Sequence, residues 1–246
     1  MATALITGAA GGIGQALVRT FGDAGYQVIA TDKTEQPANV ACAAYLQVDL
    51  ERLVGDADHA ADIVAAIRET LAGRGLNALI NNAAIQVLGG VQDLSLTDWR
   101  RSLDVNLMAP FLLTQALLQD LERVNGSVIN ISSIHARLTK KHFVAYATTK
   151  AALSAMTRAM AVDLGPRVRI NAIEPAAIAT PMLLAGFEHV ASLYPRLERC
   201  HPQQRIGRPD EVAEAALRLA SPGLEFLHGA CISLDGGIGD RLHDID

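Results

Sequence analysis

Thr7-Gly8-Ala9-Ala10-Gly11-Gly12-Ile13-Gly14 decides how this 246-residue chain is read. It follows a short apolar run, Thr3–Thr7, and leads into Ile13–Phe21, where Ile13, Leu17 and Phe21 recur at helical spacing. Strand, glycine turn and helix in that order suit the binding of a dinucleotide. Gly8 permits a tight turn, Gly12 lets the backbone approach a pyrophosphate, and Gly14 lets helix and strand pack closely. Gly11 and Ile13 complete the loop. The first helical turn offers free N–H groups and the positive end of its dipole to phosphates. Asp32 ends the next apolar run, Tyr26–Thr31, 18 residues beyond Gly14. An acid there accepts hydrogen bonds from the adenosine ribose hydroxyls and repels a 2′-phosphate. No Lys or Arg lies between Gly8 and Gly14, so the pattern favours NAD over NADP. Lys33 works against that preference. Asp49 and Leu50, after a third run, are placed by the same topology toward the adenine.

Further strands are expected at Ala43–Val48, Leu76–Asn81, Ser127–Ile131, Arg167–Ile173 and Ala230–Leu234. Helical spacing marks Ala60–Leu71, Thr97–Glu122, Ala147–Leu164 and Asp210–Leu219. Strands alternating with helices imply a doubly wound parallel sheet of about seven strands, covered on both faces. The expectation is one Rossmann-type α/β domain over 1–246, with 182–208 as a binding lid, because long connections in such units are usually functional.

Composition removes several classes. Charged residues make up 19% of the chain, against the usual ~25%, so disorder is excluded. A net charge of −5 leaves no basic excess to neutralise a nucleic-acid backbone. Three widely spaced cysteines, Cys42, Cys200 and Cys231, suggest neither a disulfide framework nor a metal site. The N-terminal residues do not read as a secretory signal, and no apolar run reaches the ~18 residues of a membrane helix. A cytoplasmic protein is expected.

Ser133 follows the fifth strand, Tyr146 comes 13 residues later, and Lys150 four after that. A spacing of four puts Tyr146 and Lys150 on one helix face. Hydride transfer between an alcohol and a nicotinamide needs a base for the hydroxyl proton. A free phenol with a pKa near ~10 is too weak an acid for that work at neutral pH. A neighbouring ammonium and a positive nicotinamide ring favour the phenolate. A serine hydroxyl can hold the substrate oxygen.

Jointly, these motifs resemble the short-chain dehydrogenase/reductase family over nearly the whole chain, from Thr7 to Gly237. The segment Asn81-Asn82-Ala83-Ala84 is similar to the family's NNAG stretch, with Ala84 for glycine. Ile131-Ser132-Ser133 matches its serine segment, and Asn171–Thr180 its NAxxPGxxxT stretch. The resemblance implies an Asn106–Ser133–Tyr146–Lys150 tetrad, in which Asn106 holds a proton-relay water near Lys150. It implies cofactor contacts from Asn82, Ala83, Ala84, Tyr146, Lys150, Pro175, Ile178 and Thr180, the last two holding the carboxamide. It also implies a homotetramer or homodimer, with the helices around Asp98–Glu122 and Ala147–Leu164 at the interface. Ala176 stands where the family has glycine and is strained if the backbone there needs positive φ. Glu174 is unusual and has no evident role in the sequence.

The segment His135–His142 holds five basic or potentially basic residues, an inversion of the chain's acidic balance. It reads either as an attractor for an anionic, carboxylate-bearing substrate, with His135 and Arg137 in contact, or as a solvated loop. Met182 and Phe187 are expected on the apolar, substrate-facing side of the lid; His189, Arg196, Arg199 and His201 could also meet a charged substrate. The tail after Gly237 either crosses a subunit interface or frays. The function expected is NAD-dependent hydride transfer to or from a small-molecule secondary alcohol or ketone, with no nucleic-acid or membrane partner. The alternatives are NADPH-dependent ketone reduction and a dinucleotide-binding regulator without turnover.

Overall fold

The chain is described by a computed structural model covering residues 1–185 and 193–242. Seven strands form one parallel sheet in the order β3-β2-β1-β4-β5-β6-β7. They are β1 (Thr3–Thr7), β2 (Gln27–Asp32), β3 (Ala44–Gln47), β4 (Ala78–Asn81), β5 (Ser127–Ile131), β6 (Arg169–Pro175) and β7 (Cys231–Leu234). Alternate β1 residues feed opposite layers: Ala4 and Ile6 on one face, Leu5 on the other. The first face is covered by α1 (Gly12–Asp23) and α10 (Pro209–Ala220) through Leu17, Phe21, Val212 and Leu219. The second is covered by α3 (Ala57–Leu71), α5 (Ala109–Ala116) and α7 (Val144–Leu164), through Ile67, Leu71, Leu113 and Leu164. Each fully buried apolar side chain of this kind stabilises the fold by about 1.5–3 kcal/mol. Strand order reverses between β1 and β4, and in open α/β sheets ligands bind in the crevice at that point.

Three elements differ from the sequence reading. The long helix expected over Thr97–Glu122 is broken into α4 (Leu96–Leu103), a π-helical turn at Asp104–Met108, α5, and α6 (Leu118–Glu122). Pro110 has no N–H for the Asn106 carbonyl four residues back, so the α-ladder cannot run through. A helix α2 (Leu50–Gly55) was not expected; Asp49 caps it, accepting from the N–H groups of Glu51 and Arg52. Six residues are too few for periodicity to register. β6 lies two residues later than expected because Gly165, at φ +52°, ends α7 and Arg167 turns back onto Leu164. The expected lid contains α8 (Pro181–Ala185) and α9 (Leu193–Cys200), and a bridge between Ile178 and Gly207 closes its base. Phe187, His189 and residues 243–246 lie outside the described residues.

Candidate active site

The glycine loop is held open by its neighbours. Gly8 has φ +68°, and a Cβ there would meet Ala83 Cα at 2.8 Å. At Gly14 a Cβ would collide with the Gly8 carbonyl, so only glycine lets the helix start this close to the strand. Asn82 was expected to touch a cofactor. Its Nδ2 donates to the Thr7 and Gly8 carbonyls, at 2.9 and 3.1 Å, tying β4 to the loop. Thr7 Oγ1, which the sequence reading left without a role, accepts from the N–H groups of Asn82 and Ala83, both at 3.0 Å. Asp32 Oδ2 accepts from the Ala10 N–H at 3.0 Å, and Oδ1 from Thr34. The acid therefore stands against the glycine loop at the end of β2, as the dinucleotide reading requires. Asp49 spends Oδ1 on capping α2, and Leu50 is buried beneath it.

Ser133, Tyr146 and Lys150 come together at the ends of β5 and α7. Ser133 opens a short 3₁₀ turn, Ile134–Ala136, its Oγ accepting from the His135 N–H at 3.1 Å. The same side chain hydrogen-bonds the Tyr146 phenol. Burial holds that phenol above its usual pKa, and the Ser133 bond opposes the shift. Lys150 is buried, and loss of solvent pushes its ammonium down to about 8. Its Nζ lies 5.8 Å from the Tyr146 ring centroid and donates to the Ile131 carbonyl at 2.7 Å. An ammonium has three donors, so two remain.

Asn106 sits in the π-helical turn, fully buried. Its Oδ1 accepts from the Ile85 N–H at 2.8 Å; its Nδ2 donates to the Ile85 carbonyl at 2.9 Å and to Thr149 Oγ1 at 3.1 Å. The side chain is thus spent on anchoring the segment after β4 and the start of α7.

Within the basic segment, Arg137 is paired with a carboxylate. Arg137 was expected to meet an anionic substrate. Instead its Nε donates to Glu174 Oε2 at 2.8 Å and its Nη2 to Ser233 Oγ at 2.6 Å. A buried carboxylate needs such a partner, and Arg137 supplies it. His135 stacks on Phe143 at 4.4 Å between centroids and meets the Tyr146 ring edge-on at 5.7 Å. Burial first, then Lys140, pushes its pKa down to about 4, so it is neutral at neutral pH. Lys140 Nζ lies over the Phe143 ring at 4.7 Å. His201 is buried, and its Nδ1 donates to the Leu197 carbonyl at 2.9 Å. Pro175 ends β6 against Leu234, and Ala176 keeps negative φ, so the missing glycine costs no strain. Ile178 is buried, Thr180 caps α8 through Oγ1 to the Leu183 N–H, and Ala84 is half-buried beside β4. Met182 belongs to α8. Among the described residues no group of three or more His, Cys, Asp or Glu could hold a metal ion, and no helix is long and apolar enough to cross a membrane.

The family model for enoyl-(acyl carrier protein) reductase matches residues 8–239. Protein FixR of Bradyrhizobium diazoefficiens is 36% identical over 95% of this chain and 85% of its own length. The 2,5-dichloro-2,5-cyclohexadiene-1,4-diol dehydrogenase of Sphingobium indicum is 32% identical, covering 96% of both chains. The ligand-free structure of Thermoplasma acidophilum aldohexose dehydrogenase superposes with a TM-score of 0.90 at 31% identity, over 100% of this chain and 96% of that one. Other solved neighbours, 25–26% identical, hold NADH or NADP. The chain belongs to the short-chain dehydrogenase/reductase family. It is an NAD(P)-dependent oxidoreductase acting on CH–OH groups.

Proposed function

We propose that the chain is an NAD-linked dehydrogenase of uncharged secondary alcohols, with Tyr146 as the general base. The observation that carries this reading is the Ser133–Tyr146–Lys150 cluster at the end of β5 and the start of α7. The residues present fit the dinucleotide: a glycine loop no side chain could occupy at Gly8 or Gly14, and Asp32 beside it. When bound, the nicotinamide accepts the hydride at C4. Ser133 holds the alcohol oxygen, Tyr146 takes its proton, and Lys150 places its two free donors on the ribose hydroxyls while its charge favours the phenolate. Asn106 supports the proton relay. Asp32 selects the 2′-hydroxyl, with Gly8, Gly11, Gly12 and Ile13 lining the pyrophosphate; Asp49 and Leu50 border the adenine. Ala83, Ala84, Pro175, Ile178 and Thr180 border the nicotinamide. NADPH-linked reduction is the competing reading, and the exposed Lys33 beside Asp32 favours it.

The wall beside Tyr146 supports an uncharged substrate. Its histidine is neutral and stacked, its arginine is paired with Glu174, and its lysine, Lys140, lies over the Phe143 ring. The apolar His135–Phe143 stack beside Tyr146 suits the C–H groups of a hydroxylated ring or a polyol. Relatives named D-threitol dehydrogenase and L-fucose dehydrogenase, 34% and 35% identical, are consistent with that class. The test is NADH formation over cyclic alcohols, polyols and hydroxy acids, each acid paired with its neutral ester. Turnover of neutral members is expected; turnover of the acids alone contradicts the assignment.

A further inference from the structure

Glu174 is buried to 2% exposure in β6, one residue before Pro175. A carboxylate removed from water this completely must be met by donors. They come from two different elements. Arg137, which closes the turn that Ser133 opens, donates Nε to Oε2 at 2.8 Å. Ser154, one helical turn beyond Lys150 on α7, donates Oγ to Oε1 at 2.8 Å. Ser154 has one hydroxyl proton and spends it there, so toward Ser132 Oγ, at 2.8 Å, it is the acceptor. Ser132 Oγ also lies 3.0 Å from the Lys150 carbonyl, so its single proton is shared between that carbonyl and Ser154. One carboxylate therefore joins the turn carrying Ser133 to the helix carrying Tyr146 and Lys150.

We propose that Glu174 is a positioning residue that sets Ser133, Tyr146 and Lys150 relative to one another, a role resting on the reading of Tyr146 as the base. Stability alone is a poor account of it, because buried ion pairs are often near-neutral against apolar replacements. Proton transfer is unforgiving of displacement: about 1 Å of misplacement can cost about a hundredfold in rate.

Glu174→Gln keeps the size and the acceptor for Ser154 but removes the charge that holds Arg137. In the folded variant, kcat falls by about tenfold while NADH affinity, read by fluorescence, stays within about twofold of the parent. The near-ultraviolet tyrosinate titration of the NAD complex, taken as a difference from Tyr146→Phe, moves to higher pH as Lys150 drifts from the phenol. Glu174→Asp restores part of both changes. Loss of a negative charge without movement has the opposite sign, lowering the midpoint. A folded Glu174→Gln with the parent's kcat and midpoint, or with a lowered midpoint, overturns the proposal. If Glu174→Gln does not fold, Ser154→Ala, which cuts one arm only, takes the same test, and parental values overturn the proposal there too. Failure of the general-base reading looks different: Tyr146→Phe then keeps its turnover, while the midpoint shift still reports on positioning.

Discussion

At the scale of the residue, His135 and Lys150 show burial changing a charge state. Both are held below their usual pKa, His135 at about 4 and Lys150 at about 8, with loss of solvent as the first cause. For His135 the unfolded chain binds a proton that the folded chain refuses between the ordinary pKa of 6.5 and about 4. Stability therefore rises with pH across that window and is lost as pH falls through it. His135→Gln removes the effect. Its Tm should fall less between pH 7 and pH 5 than the parent's, by about 2 °C or more, measured by differential scanning calorimetry. The same pH slope in both proteins contradicts the assignment. The identities of Ser133, Tyr146 and Lys150 were legible because their chemistry and spacing are local. The fate of Arg137 was not: its partner is 37 positions away in β6, and no local pattern links them. Glu174 was conspicuous as a letter and silent as to role for the same reason.

At the scale of the element, Asn106 is held in a widened turn by Pro110 and joined to Ile85 and Thr149. Asn106→Ala leaves buried groups at both partners without a bond. The cost is about 2–3 kcal/mol of unfolding free energy, read by urea titration. A loss below about 0.5 kcal/mol contradicts this account of the turn. The strand–helix alternation and a sheet of about seven strands could be read from hydrophobic runs, since each strand is long enough to show one. The π turn could not, because the Leu-rich spacing continues through it and only Pro110 hints at a break. Nor could α2, where the signal is a single capping acid, Asp49. The π turn carries Asn106, a candidate site residue, so there local rules gave way to the demands of the fold around it.

At the scale of the whole molecule, the crevice between β1 and β4 brings the glycine loop and Asp32 to one end of the sheet. A ligand that binds only the folded chain stabilises it, by about 2.7 kcal/mol at a hundred times its Kd. With the Asp32 carboxylate set against a 2′-phosphate, NAD should raise Tm by several degrees, about 4 °C or more, and NADP at equal concentration by less. The reverse order would make Lys33 the decisive residue and favour the NADPH reading. Within the locally basic His135–His142 segment, Arg137 is the residue met by acid: its guanidinium lies against Glu174, within 3.9 Å of Asp235.

The central claim is that Tyr146 accepts the alcohol proton during NAD reduction. The most direct measurement is the initial rate of NADH formation with neutral secondary alcohols, for the parent and Tyr146→Phe together, with NADH affinity measured on both. The account predicts a loss of about 10²–10⁴ in kcat with affinity unchanged. Parental kcat in a folded Tyr146→Phe that still binds NADH would contradict it.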